Sequence, residues 1–232
     1  MSAVEVEGLR VTYQRWGQRV EALAGVDVRI EAGEWLLLVG HNGSGKSTLL
    51  RTLAGHQRPD AGRITVAGAP LATDRARRRR QVFLVRQDPT QGTAPMLTLF
   101  ENLLIADPDA PGHGRKALAA RYAADLAPIG LDGRLHQLAS TLSGGERQLL
   151  ALLIARRQPA PVLLLDEPFA ALDPGRVRLA LDLLRGLHAE GRTLVQVSHD
   201  PEHIASLGDR ALRLDHGRVV APSAVTSASD PP

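Results

Sequence analysis

WLLLVGHNGSGKSTLL, residues 35–50, decides the reading of this chain. Trp35 to Val39 is an uninterrupted apolar run between Gly33 and Gly40, the pattern of a strand buried on both faces. GHNGSGKST, residues 40–48, follows at once and matches the phosphate-loop pattern G-x-x-x-x-G-K-[ST]. A helix is expected from Lys46 to about Leu53. Glycines let the backbone curl so that successive N–H groups point at phosphate oxygens, and the helix N-terminus adds favourable partial charge. Lys46 would reach the β- and γ-phosphates, and the Ser47 hydroxyl would ligate Mg²⁺. Gly40, Asn42, Gly43, Ser44, Gly45, Lys46, Ser47 and Thr48 are therefore the expected nucleotide-binding residues, with ATP and Mg²⁺ as ligands.

Downstream, VLLLDEP, residues 162–168, reads as a buried strand ending in two acids. Parallel α/β sheets bind ligands at the carboxyl ends of their strands, which is where Asp166 falls. Asp166 is expected on Mg²⁺. Glu167 is expected to point differently, because side chains alternate along a strand, and to polarise the water that attacks the γ-phosphate. Further strands are expected at Val82 to Val85, at Thr193 to Val197 and near 211–221, with helices from about Gly144 and over 175–190. Strands alternating with helices predict an α/β fold with a mostly parallel sheet. Residues 2–30 alternate apolar and polar positions and read as short strands and turns, an antiparallel β portion. Residues 88–142 lack β-rich runs and read as helical pieces broken by Pro108, Pro111, Gly112 and Gly114, an inserted helical lobe. The expected single domain is 1–222, with the core over about 1–87 and 160–222 and the lobe over about 88–159. The small, polar tail 223–232 is expected to be disordered.

Composition narrows the chemistry. The chain has no cysteine, which excludes disulfides, thiolate metal sites and a thiol nucleophile. Basic and acidic residues nearly balance at 28 against 25, so the high pI reflects arginine, which barely titrates; Lys46 and Lys116 are the lysines. The run of Arg75 with Arg77 to Arg80 reads as a solvated surface helix. No aromatic platform accompanies it, and no nucleic-acid partner is expected. MSAVEVEGLRV has no basic segment followed by an apolar stretch, so a secretory signal is not expected. The apolar runs fall short of the roughly 20 residues of a membrane span.

LSGGERQ, residues 142–148, is a second site of interest. Ser143 and Glu146 fit a capping box, which by itself needs no ligand. Gly144 and Gly145, however, cost a helix's first turn roughly 1 kcal/mol each against alanine. They make sense where something must approach the backbone closely. LSGGERQ resembles the signature motif of the ATP-binding cassette family, and the family's other motifs stand in the expected order over about residues 4 to 220.

The resemblance implies a P-loop NTPase with a RecA-like core, an antiparallel β portion and a helical lobe. It implies two subunits packed head to tail, each ATP lying between one subunit's phosphate loop and the other's signature. Ser143 and Gly145 would contact the γ-phosphate in trans, with Gly144 giving the backbone room. Tyr13 is similar to the aromatic that stacks on adenine, with Trp16 a rival. Gln87, at the end of FLVRQ, is similar to the glutamine that touches Mg²⁺ and the attacking water. AALD, residues 170–173, resembles the loop that crosses the dimer axis, with Asp173 at its tip. His199 in VSHDPEH is similar to the γ-phosphate histidine. Catalysis would thus rest on Glu167, His199, Gln87 and Lys46.

The resemblance further implies an ATPase at the cytoplasmic face of a membrane, a second cassette as partner (an identical copy being the simplest), membrane-spanning permease subunits, and a solute-binding protein if the direction is import. RQDPTQGTAPMLTLFENL, residues 86–103, with ERQLLALLIARR, resembles cassettes that take up small solutes, amino acids among them. Efflux or lipoprotein-release cassettes and iron–sulfur assembly ATPases are the alternatives. The stretch between Lys46 and Ser143 is too short for the long coiled coil of repair and chromosome cassettes.

Overall fold

The computed structural model describes residues 1–15, 17–198 and 207–220. The chain opens with two fourteen-residue strands, β1 (Ser2–Arg15) and β2 (Gln18–Glu31), paired antiparallel. These are long strands rather than the short pieces expected. The register slips at several points, including between Val6 and Leu9. Each slip breaks the period-2 pattern that marks a strand in sequence without breaking the strand itself. β4 (Ala61–Val66) and β5 (Ala69–Pro70) complete a four-stranded antiparallel sheet in the order β2-β1-β4-β5.

The second sheet is built on β3 (Trp35–Val39), β6 (Val82–Val85), β7 (Val162–Asp166), β8 (Thr193–Val197), β9 (Arg210–Asp215) and β10 (Arg218–Val220). Its order is β10-β9-β3-β8-β7-β6. All neighbours run parallel except the β9–β10 hairpin. The apolar pentapeptides at β3, β7 and β8 suit strands covered on both faces.

Strand alternation divides the core. Leu36 and Leu38 of β3 face β1, β2 and the helix α1 (Lys46–Leu53), packing with Leu9, Leu23, Leu49 and Leu53. Trp35 and Leu37 face the other way, into a cluster with Leu163, Leu165 and Leu194. That second cluster runs on into α3 (Leu99–Ala106), α4 (Arg115–Leu126), α5 (Gly144–Arg157) and α6 (Pro174–Ala189). The helical segment thus shares its apolar core with the sheet. Each buried leucine contributes about 1.5–3 kcal/mol relative to exposure. Leu149 to Ala155 of α5 are all buried, so the start of α5 is held by a helix wedged into the centre of the molecule.

A buried polar knot, invisible in the periodicity, fastens the lobe. Tyr122 of α4 donates its hydroxyl to Asp107 at 2.9 Å, and Arg157 of α5 lies 3.7 Å from Asp107 and pairs with Asp125. The basic run forms a short helix, α2 (Arg75–Arg79), with no buried residue, as expected of a solvated face.

Candidate nucleotide site

The phosphate loop leaves the carboxyl end of β3 and enters α1 through Gly45, whose φ of 108° is left-handed. A side chain there would meet the Ala22 carbonyl oxygen at 2.6 Å. At Gly40, φ 144°, a Cβ would stand 2.2 Å from the Leu214 carbonyl oxygen. The loop is therefore pinned between β2 and β9 by backbone contacts that no side chain leaves room for. Lys46 is buried and donates to the Gly40 and His41 carbonyls at 2.7 and 2.9 Å. Burial lowers its pKa, and Glu167 and Asp166 oppose the shift.

β3 and β7 are separated by β8, yet their ends meet chemically. The Ser47 hydroxyl donates to an Asp166 carboxylate oxygen at 3.0 Å. Burial pushes the Asp166 carboxyl up, the Ser47 hydrogen bond holds it down, and Glu167 repels it. Gln87, just past β6, donates its amide to a Glu167 carboxylate oxygen at 3.1 Å. Glu167 itself does not continue the strand. β7 ends at Asp166, and Glu167 has φ +50°. Its placement is set by a left-handed residue after the strand, not by strand alternation. Such a conformation in a non-glycine residue is uncommon and costly.

A cleft of ≈ 540 Å³ is lined by Tyr13, Asn42, Gly43, Gly45, Lys46, Ser47, Thr48 and Glu167, with Asp166 and Gln87 hydrogen-bonded to Ser47 and Glu167 of that lining. Arg51, which the sequence reading passed over, lines it too; its guanidinium donates to the Ser47 carbonyl at 3.0 Å. Tyr13 is half-buried, packed against the inter-sheet core. Trp16 and His199 lie outside the described residues, as does the tail 223–232.

The signature stretch is absent from that lining. Ser143 caps α5, accepting from the Glu146 N–H at 3.3 Å, and Glu146 accepts from the Ser143 N–H at 2.8 Å. Arg134 also donates to Glu146, at 2.8 Å. The two glycines differ. A Cβ on Gly144 would meet nothing within 4 Å, whereas one on Gly145 would meet Arg176 Cδ at 3.0 Å and the Ala171 carbonyl at 3.4 Å. Gly144 therefore faces open space, and Gly145 is crowded by its own chain. Asp173 caps α6, accepting from the Arg176 N–H at 3.0 Å and from its guanidinium at 2.6 Å.

The residues fit a nucleotide with a hard divalent cation. A buried ammonium, glycine-opened backbone and a hydroxyl–carboxylate pair converge on one cleft, and oxygen donors of this kind suit Mg²⁺. Ser44 Oγ is buried beside Gly40 and has no hydrogen-bond partner among the described residues. A parallel sheet with this loop at a strand's carboxyl end, an antiparallel sheet across from it and a capped helix facing elsewhere define a P-loop nucleotide cassette.

Residues 23–170 match the family described as ABC transporter. The chain is 35% identical over 228 residues to the L-cystine transport system ATP-binding protein TcyN of Escherichia coli (strain K12), covering 95% of this chain and 89% of that one. It is 40% identical over 200 residues to the thiamine import ATP-binding protein ThiQ of Jannaschia sp. (strain CCS1), covering 86% of each. Among solved structures, the dimeric post-hydrolysis state of the ATP-binding cassette MJ0796 bound to ADP and Pi matches with a TM-score of 0.82 at 28% identity, over 94% of this chain and 97% of that one. The chain belongs to the ABC transporter family and is its ATP-binding, ATP-hydrolysing subunit, with ATP and Mg²⁺ as ligands. No helix among the described residues is long and apolar enough to cross a membrane.

Proposed function

We propose that the chain powers import of a small solute as one of two cassettes clasped head to tail under membrane-spanning permease subunits. The observation that carries this reading is the separation of the phosphate-loop cleft from the start of α5, whose residues 142–148 do not line it. One chain thus carries two half-sites on different faces. The dimeric state of MJ0796 supports the pairing, and the names of ThiQ and TcyN support small-solute transport, an amino acid being one class.

In the pair, Lys46 and the loop N–H groups hold the β- and γ-phosphates, and Tyr13 stacks on the base. Ser143 and Gly145 of the second chain grip the γ-phosphate from the far side, with Asp173 near the axis. Ser47, Asp166 and Gln87 would hold Mg²⁺, which would supply positive charge to offset the negative charge of the transferring phosphoryl group. Glu167, oriented by Gln87, takes a proton from water as its oxygen bonds to the γ-phosphorus and the bond to ADP breaks. His199 steadies the γ-phosphate. Losing that phosphate removes the bridge and reopens the pair, and the permease follows because open and closed pairs contact it differently.

Glu167→Gln tests this. It should keep ATP binding, lower turnover on the order of 10²–10⁴-fold and trap an ATP-dependent dimer, seen by light scattering. Parent-rate hydrolysis, or a monomer with ATP bound, would contradict the proposal. Direction is tested separately: a permease co-purified with the chain should take a solute up into the nucleotide-side compartment, and solute expulsion would favour the efflux alternative.

A further inference from the structure

We propose that His41, Asp215 and His216 form a binding site for a zinc-class divalent cation that ties the phosphate loop to the β9–β10 turn. One ligand atom from each of the three lies within 4.8 Å of the others. His41 Nε2 stands 2.8 Å from Asp215 Oδ1, and His216 Nε2 stands 3.8 Å from the same oxygen. A tetrahedral zinc with bonds of about 2.0–2.1 Å needs ligand atoms about 3.4 Å apart. The two distances straddle that value, and the ligand atoms of the two histidines lie within 4.8 Å of each other. Two imidazoles and a carboxylate leave a fourth position for water and suit zinc rather than Mg²⁺, which takes oxygen ligands.

A second observation comes from the hydrogen bonding of His41. Its Nδ1 lies 2.8 Å from the Asn42 carbonyl. A carbonyl can only accept, so Nδ1 carries the hydrogen. Nε2 therefore points its other valence at a carboxylate, a contact that demands a proton or a metal ion between them. A backbone carbonyl holding the far nitrogen is the usual support of a metal-bound histidine.

The backbone is equally specific. His216 and Gly217 form the two-residue turn between β9 and β10, with φ of 44° and 73°. Glycine, asparagine and histidine are among the residues found at such positions, and the turn projects the His216 ring beside His41, with ring centroids 5.1 Å apart. The turn is fixed to the loop: the Gly217 N–H donates to the Ser44 carbonyl at 2.9 Å, and the Gly217 carbonyl accepts from the Ala24 N–H at 2.8 Å. Ligands from distant parts of the chain thus sit on one rigid frame. The His41 carbonyl also accepts from Lys46, so a cation at His41 would brace the loop that carries the phosphate lysine.

The test uses the full chain, tag-free and without nucleotide, titrated with zinc chloride by calorimetry in excess Mg²⁺. One zinc should bind per chain. His216→Asn, which keeps a residue at home in the left-handed turn, and His41→Gln should each weaken binding at least about tenfold. His113→Gln, at an exposed histidine between α3 and α4, should bind as the parent does. Absence of uptake at high micromolar zinc, or equal binding by His41→Gln and His216→Asn, would overturn the site. Because no nucleotide is present, either result leaves the ATPase reading to be judged on its own tests.

Discussion

The phosphate loop and the start of α5 are both helix N-termini rich in glycine, yet Gly40 and Gly45 of the first differ from Gly144 of the second in what surrounds them. In the loop, Gly40 and Gly45 are demanded from within: side chains there would strike the backbone of β9 and β2. At Gly144 nothing in the chain demands glycine. At the loop, groups from the ends of three strands meet in pairs, Ser47 with Asp166 and Gln87 with Glu167. The α5 start satisfies the Ser143 and Glu146 N–H groups with its own capping box, and a side chain at Gly144 would meet open space. Gly40 and Gly45 thus have reasons inside the chain, and the proposed pairing puts the reason for Gly144 in another molecule.

The largest expected effect breaks or secures that contrast directly. Lys46→Ala and Ser143→Ala should each lower ATP turnover, on the order of 10²–10³-fold for the lysine. Mixed together, the two variants should recover activity. In a mixed pair, the intact loop of the Ser143→Ala chain faces the intact signature of the Lys46→Ala chain, and one site is whole. Steady-state hydrolysis against mixing ratio measures it. Mixing without recovery would mean that loop and signature act within one chain.

Gly40→Ala comes next. It forces a side chain to φ 144° and 2.2 Å from a backbone oxygen, so the loop or β9 must move. A loss of about 1–3 kcal/mol is expected from the backbone strain alone, with nucleotide binding lost alongside. Urea unfolding and ATP titration measure the two. A stable, fully binding variant would show that contact with β9 does not set the loop.

The sequence was most legible where chemistry and backbone come from neighbouring residues. The strand Trp35–Val39 and the helix Lys46–Leu53 stand as expected, because an apolar run and a glycine loop need no distant partner to be recognised. Asp166 was legible for the same reason: its strand delivers it. Glu167 was expected to differ from Asp166 by strand alternation, whereas it follows the strand's end in a left-handed conformation. A left-handed residue after a strand leaves no mark in periodicity. The long strands β1 and β2 were obscured by bulges, which shift the alternation each time. The Tyr122–Asp107–Arg157 knot and the His41–Asp215 contact were illegible, since both join residues that only the folded chain brings together.

The smallest effect is the sharpest test of the outward-facing half-site. Gly144→Ala adds a methyl group that meets nothing within 4 Å, at the first position of a capped helix. Helix propensity then favours alanine by up to about 1 kcal/mol, a rise of roughly 2–4 °C in Tm for a chain of this size. If a second chain's nucleotide packs on that surface, the same methyl group should weaken ATP-driven pairing and slow hydrolysis while the isolated chain grows more stable. The opposite signs distinguish the cause, because damage to the fold would lower both quantities. A variant with raised Tm and unchanged turnover would show that nothing approaches Gly144, and the intermolecular reason for its glycine would be gone.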